Sequence, residues 1–365
     1  VLPLIRRHAD RARDLLDPQI VDYIEQGSGE EVSLSEAVLA WQRLRLRPHA
    51  LVDVSHVDTG VTLLGTTLAA PVIAAPTASH GLVHPDAEIA TAQGVHAAGS
   101  LMTVSTRASA QIEQIAAELP DGWWFQVYLT REPKAARGAA LRAARAGARA
   151  LVLTGDTPYL GRKSRVGRLT ALNTQTGLIN LGRHLPPGSD PAWALEQDPA
   201  ATEHTITDLT ELTGLPVLVK GVLRGDDAER CLAAGAAGVI VSNHGGRQLD
   251  QAISTADALP DVATAVAGRV PVLVDGGIRS GVHVLAALAL GASAVLLGRP
   301  LVWALAADGA DGVRDTLLAL QDDLGHCMAL AGVTCCAAAN PGLLGLAAPL
   351  RKYARELLTE HERRG

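Results

Sequence analysis

The chain alternates short, almost uninterrupted apolar runs with longer Ala-rich stretches. In order the runs are PVIAAPTA from Pro71, SLMTVS from Ser100, WWFQVYL from Trp123, ALVLTGD from Ala150, PVLVKG from Pro216, GVIVSN from Gly238, PVLVDGG from Pro271 and AVLLGRP from Ala294. Apolar runs without polar alternation suit strands buried on both faces, as in a parallel sheet covered by helices. Most begin about 22–33 residues after the one before, the length of one strand-helix unit. Eight such units predict a (β/α)8 TIM barrel.

One spacing departs from the rest. About 60 residues separate ALVLTGD from PVLVKG, well beyond a normal connection. The excess, residues 163–205, is rich in Gly, Pro, Asn and Ser with Trp193 as its aromatic, and predicts a long loop after strand 4 that acts as a lid or touches substrate. Residues 1–70 read as an N-terminal helical extension in which PHALVDVSHVDTGVTLLG could supply a hairpin. Residues 71–300 carry the barrel strands and 301–365 C-terminal helices, so the whole chain, 1–365, is expected to be one barrel domain. From Ser280 to Gly298 there is no charged residue, yet Gly291 divides the stretch and Arg299-Pro300 follows, which predicts helix then strand rather than a membrane span.

Composition narrows the function classes. A formal charge of −6 without any Lys/Arg block gives no footprint for nucleic acid. The cysteines, Cys231, Cys327, Cys335 and Cys336, fit neither a disulfide framework nor a zinc site, which points to a reducing, cytoplasmic setting. No signal-peptide pattern is visible, although the chain begins at Val1 without Met. His80 and His84 have the i, i+4 spacing of helical metal ligands but lie in a loop-like HGLVHPD without a third ligand, so they read as structural and no metal is expected. Aromatics make up only 3% of the chain, so each tyrosine calls for a reason.

Every apolar run ends on polar or reactive side chains: Thr77, Ser105, Gln126 with Tyr128, Thr154 with Asp156, Lys220, Ser242 to His244, Asp275 and Arg299. Barrel enzymes assemble their sites at that face. The most informative phrase is SNHGGRQLD, Ser242 to Asp250, which sets His244 and Arg247 just past a strand. It resembles the signature of the FMN-dependent 2-hydroxy acid oxidase and dehydrogenase family, which includes glycolate oxidase, lactate oxidase and mandelate dehydrogenase. The resemblance runs through DYIEQGSGE, APTASHGLVHPDAE, FQVYLT, LTGDTPYLGRK, LPVLVKG, VDGGIRSG and LGRP, with AAPTASHGLVH closest to the lactate oxidase branch. It implies that His244 is the base, that Asp156 stabilises the imidazolium, that Arg247 holds the substrate carboxylate, and that Tyr23 and Tyr128 contact the carboxylate and the reacting oxygen.

The same resemblance assigns FMN as cofactor. Ala75, Pro76, Thr77, Ala78, Ser105, Gln126 and Thr154 would line the flavin. Lys220, with Ser242 nearby, would face its negative charge on reduction. Asp275, Gly276, Gly277, Arg279, Gly298 and Arg299 would hold its ribityl-phosphate end. Two departures stand out. Lys163 takes the place of a second substrate-binding arginine, keeping the charge but losing the planar fork. Arg107 lies where relatives carry an aromatic or uncharged side chain, so either Arg107 replaces the lost fork or the pocket is built for a different substrate. Gly155, where relatives often have Val or Ala, loosens the surroundings of Asp156.

The expected activity is oxidation of an L-2-hydroxy acid to a 2-oxo acid with O2 returning as hydrogen peroxide. The alternatives are a quinone- or protein-linked dehydrogenase, or an oxidase of an atypical substrate such as an amine or a natural-product intermediate. A homo-oligomer, a tetramer by resemblance, is expected.

Overall fold

Each of the eight apolar runs forms a strand: β1 (Val72–Ala74), β2 (Thr103–Val104), β3 (Trp123–Val127), β4 (Ala148–Thr154), β5 (Val217–Val222), β6 (Gly238–Val241), β7 (Val272–Val274) and β8 (Ala294–Leu297). The structure, a computed structural model, describes residues 2–163 and 177–345. Successive strands pair in parallel from β2 to β8, and β8 pairs with β1. The remaining seam, β1 to β2, carries a parallel bridge between Ala74 and Met102 and a 2.8 Å bond from Ala74 N–H to Leu101 O. The sheet is thus a nearly closed (β/α)8 barrel.

The two-residue side-chain period of a strand divides the core. In β1, Ile73 points into the barrel while Val72 and Ala74 pack outward against helices. The inner cluster adds Leu101, Trp124, Val152, Leu218, Ile240, Leu273 and Leu296. Leu63 and Leu68 join it from an antiparallel hairpin, Val61–Leu63 with Thr66–Leu68, whose turn residues Leu64 and Gly65 both have positive φ, as a type I′ turn requires. This hairpin, the one foreseen in the sequence, sits at the N-terminal ends of β1 and β2, where Ala69 N–H bonds Gly99 O.

Three helices precede the barrel: α1 (Pro3–Leu15), α2 (Pro18–Glu25) and α3 (Val32–Arg43). α2 starts where Asp17 caps Gln19 N–H and Pro18 presets the first helical φ. The helical reading of the first 70 residues therefore ends at Arg43. Beyond it the Gly- and Asp-containing segment is extended and turn-rich, and the hairpin is its regular part. Between the strands lie α4 (Ala87–Ala97), α5 (Ile112–Ala117), α6 (Pro133–Arg145), α7 (His204–Thr213), α8 (Gly225–Ala233), α9 (Thr255–Val266) and α10 (Gly281–Ala289). α10 followed by β8 accounts for the uncharged stretch, and no helix among the described residues is long and apolar enough to cross a membrane.

The connection from β4 to β5 is less of a loop than the sequence suggests. Residues 164–176 lie outside the described residues, but the rest contains a 3-10 turn at Gly182–His184, a helical turn at Pro191–Ala194 begun by an Asp190 cap, and an antiparallel bridge between Thr130 and Gln197. Arg299 is not the end of a strand but the first residue of α11 (Arg299–Ala331), because Gly298 already turns the backbone. After α11 the chain makes two 3-10 turns, and Leu344–Gly345 pairs with Arg45–Leu46. Residues 346–365, which include Tyr353, lie outside the described residues.

Candidate active site

The C-terminal strand ends surround a cavity of about 1360 Å3, solvent at its mouth included. Ala75, Pro76, Thr77 and Ala78 line it after β1, Ser105 and Arg107 after β2, and Tyr128 after β3. Lys163, Lys220, His244, Arg247, Asp275 to Gly277, Arg279, Gly298 and Arg299 follow around the ring, and Tyr23 enters from α2. Eighteen positions nominated from the sequence therefore share one wall. Asp156, Gln126 and Ser242 stand beside that wall, bonded to residues that form it, and Thr154 is bonded in turn to Gln126.

At the centre, His244 Nδ1 lies 3.1 Å from Asp156 Oδ1 and 3.3 Å from Oδ2, and His244 Nε2 lies 3.3 Å from the Tyr128 hydroxyl. A carboxylate on Nδ1 favours the tautomer that carries its proton there, leaving the Nε2 lone pair toward the cavity. Burial would raise the Asp156 carboxyl, but the His244 contact and the Lys220 charge outweigh it and hold the group below its ordinary range. Asp156 is thus an anion ready to stabilise an imidazolium. The backbone supports this contact: a register shift in β5 places Gly221 at φ +105°, and a Cβ there would collide with the Asp156 side chain. Burial pushes the Tyr128 hydroxyl well above its ordinary value, with the Asp156 charge adding to the effect, so it stays a hydrogen-bond donor.

Arg247 is tethered by one nitrogen only. Its Nη1 donates to the carbonyls of Tyr23 (2.9 Å), Gln26 (3.0 Å) and Ile24 (3.3 Å), which are orphan acceptors at the end of α2. Nε and Nη2 bond no other described residue, and the guanidinium carbon lies 5.3 Å from the Tyr23 ring centre. Lys163 shares this region: burial, then the Arg247 charge, bring its ammonium down to about 8. Arg107, half-buried after β2, lies 5.9 Å from the Tyr128 ring centre, with Nη2 donating to Leu195 O at 2.8 Å. Both departures noted in the sequence thus line the cavity, Lys163 within the influence of Arg247 and Arg107 within that of Tyr128 and Tyr23.

The other end of the cavity suits a phosphorylated cofactor. Lys220 Nζ contacts Ser242 Oγ at 2.6 Å and Asp275 Oδ2 at 2.9 Å, while Asp275 Oδ1 is buried without a partner. A buried acceptor left this way is costly and calls for a donor such as a ribityl hydroxyl. Arg279 and Arg299 are half-buried cations with no ion-paired carboxylate among the described residues, and burial lowers them to about 10 and about 9. Gly277, at φ +81°, passes so close to α3 that any Cβ would overlap the Ala37 carbonyl, and Trp41 Nε1 donates to Gly276 O at 2.7 Å. Backbone amides, two arginines and an orphaned carboxylate oxygen together fit FMN. Around the ring-binding wall, Gln126 links Ser105 Oγ, Thr106 N–H and Thr154 Oγ1 into one buried network.

Some wall residues carried no signal in the sequence. Gln197 reaches the cavity from the β4-β5 connection, and Gln248 donates to the carbonyls of Asp156 and Tyr159, bracing the segment that ends in Lys163. Leu160, Ile24 and Val302 add apolar surface. Gln248 could have been found, being part of the SNHGGRQLD phrase; Gln197 could not, since only the fold brings it back. His80 is a structural residue: its ring nitrogens meet Thr77 Oγ1 at 2.5 Å and Thr91 Oγ1 at 2.8 Å.

Comparison with known proteins agrees with this geometry. The family model described as FMN-dependent dehydrogenase matches residues 12–345. Glycolate oxidase 1 of Oryza sativa subsp. indica is 40% identical over 332 residues, covering 88% of this chain and 90% of that protein. L-lactate oxidase of Nostoc sp. is 41% identical over 337 residues, covering 88% and 92%. The crystal structure of a mandelate oxidase with (S)-4-hydroxymandelic acid superposes with a TM-score of 0.84 at 40% identity, covering 94% of this chain and 98% of that one. The chain belongs to the FMN-dependent dehydrogenase family, the family that includes the 2-hydroxy acid oxidases, and its cofactor is FMN.

Proposed function

We propose that this enzyme oxidises an L-2-hydroxy acid to the 2-oxo acid and passes the electrons to O2, releasing hydrogen peroxide. The observation that carries this reading is the Asp156-His244-Tyr128 chain opening onto the same cavity as Arg247. The conversion removes two electrons and two protons from the carbinol, and bound FMN would supply the two-electron acceptor that O2 reoxidises.

Arg247, through Nε and Nη2, offers a fork for the substrate carboxylate, with the Lys163 ammonium beside it. His244 Nε2 takes one proton from the carbinol, and Asp156 stabilises the resulting imidazolium. Tyr128 donates a hydrogen bond to the oxygen that becomes a carbonyl, where charge develops as the reaction proceeds.

The reading is tested by titrating the yellow enzyme anaerobically with glycolate, L-lactate and (S)-mandelate. At least one should bleach the flavin, and air should restore the colour within seconds with one peroxide per substrate. Reduced enzyme that stayed bleached for minutes in air would move the assignment to a quinone- or protein-linked dehydrogenase.

Lys163 imposes a pH dependence. A lysine brought down to about 8 is charged below that pH and neutral above it, so carboxylate binding weakens as pH rises through 8. The expected result is an alkaline limb in kcat/KM near pH 8, which reports the free enzyme. Lys163→Arg, always charged, should remove that limb. An unchanged limb in the variant would mean that another group sets it.

A further inference from the structure

His80 does not line the cavity, but one of the residues it holds does. Its ring stands between two threonines, with Nε2 2.5 Å from Thr77 Oγ1 and Nδ1 2.8 Å from Thr91 Oγ1 in α4. Thr77 belongs to the cavity wall, whereas His80 and Thr91 are buried behind it. The backbone that carries the ring is pinned as well. His80 N–H donates to Glu88 Oε1 at 3.0 Å, and Glu88 Oε2 accepts from the N–H groups of Ser109 and Ala110, so the turn after β1 is tied to the one after β2. Gly81 N–H adds a bond to Ser109 Oγ at 3.0 Å. These bonds fix where the imidazole sits.

The direction of the two ring bonds follows from counting protons. A neutral imidazole donates from one nitrogen and accepts at the other, and a threonine hydroxyl has a single proton. Burial lowers His80, with the Glu88 charge opposing, so the ring is uncharged at neutral pH. Thr91 is 2% exposed, and among the described residues its hydroxyl has no acceptor other than His80 Nδ1. A buried donor without an acceptor is costly, so the Thr91 proton points at Nδ1. The ring proton then sits on Nε2 and is donated to Thr77 Oγ1. The relay from Thr91 through His80 thus ends at the cavity wall in a hydroxyl that has a proton to give and no acceptor for it among the described residues.

We propose that Thr77 donates this proton in a hydrogen bond to a carbonyl oxygen of the flavin ring, and that His80 is the positioning residue that sets its direction. A ring carbonyl gains electron density on reduction, so a donor held on it favours the reduced cofactor. The opposite imidazole tautomer would take the Thr77 proton onto Nε2 and turn lone pairs toward the flavin instead. The inference goes beyond the oxidase reading, since it concerns how readily bound FMN accepts electrons, whatever the substrate.

The test is the reduction potential of bound FMN, equilibrated against a reference dye without substrate. Thr77→Val, close in shape but without the hydroxyl, should move the reduced-to-oxidised ratio about fivefold toward oxidised, the worth of one neutral hydrogen bond. Thr77→Ser should leave the ratio unchanged. His80→Leu should shift it in the same direction as Thr77→Val, and His80→Gln, which places an amide N–H near the position of Nε2, should restore most of it. In the Thr77→Val background His80→Leu should add nothing, because its effect passes through the hydroxyl. Infrared spectra supply a second readout: a flavin carbonyl band should rise in frequency in Thr77→Val and in His80→Leu. FMN titration of each apoprotein certifies that it folds, and Thr77→Val alone can overturn the proposal should His80→Leu not fold. An unchanged ratio in Thr77→Val, a shift toward the reduced form, or a His80→Leu effect that persists without the Thr77 hydroxyl would overturn it. None of these outcomes bears on the oxidase reading, which the substrate titration tests separately.

Discussion

His244→Asn is expected to slow anaerobic flavin bleaching by substrate about 10³-fold while FMN stays bound, which stopped-flow absorbance measures directly. A positioned base contributes about 10²–10⁴ in rate, and the two described residues whose side chains bond the imidazole are not able to replace it. Asp156 is occupied at Nδ1, and Tyr128 is held protonated by burial. Asparagine is chosen because His244 has φ +58°, a left-handed conformation that Asn adopts more readily than most side chains. The backbone of the SNHGG turn should therefore survive, and the loss can be assigned to the imidazole. Asp156→Asn should cost less, since the base remains but its cation loses its anion. A loss below tenfold in His244→Asn would remove that residue from the chemistry.

The second large effect is expected at the opposite end of the cavity. Arg299→Met should weaken FMN binding by about a hundredfold, read by fluorescence titration of the apoprotein, since a charged hydrogen bond is worth about 1.5–3 kcal/mol. Arg299 donates to Ile24 O at 3.0 Å, Gly245 O at 2.9 Å and Gln26 O at 3.3 Å, so it is held in place by carbonyls, with no ion-paired carboxylate among the described residues. Its guanidinium is lowered to about 9 mainly by burial, with the charges of Arg247 and Arg279 adding to the effect. A phosphate would reverse that destabilisation. Arg279, lowered by burial alone and stacked 5.4 Å from the Trp303 ring centre, should behave similarly when changed to Met. Unaltered FMN affinity in both variants would place the phosphate elsewhere.

The barrel was legible because its strands are buried on both faces and so write themselves as plain apolar runs between Gly and Pro. PVLVKG and PVLVDGG carry both the strand and the reactive residue that follows it. The site was legible for the same reason: Lys220, His244 and Asp275 each follow an apolar run that fixes where they emerge. What escaped depends on tertiary return. Gln197 lies about 40 residues past Asp156 in a stretch without periodicity, and only its bridge to Thr130 brings it to the cavity. The relation of Lys163 to Arg247 was equally hidden, because a sequence records that two cations are present but not that they meet. Helical boundaries failed where composition is ambiguous, as after Arg43, and where Gly298 turns the chain one residue before Arg299.

The end of α2 gathers two roles in one place. Its last carbonyls accept from Arg247 and from Arg299, the side chains proposed to meet the substrate carboxylate and the cofactor phosphate. The two guanidiniums share two acceptors, the carbonyls of Ile24 and Gln26. Loosening the end of this short helix would release both guanidiniums at once, although they lie more than 200 residues from it in sequence.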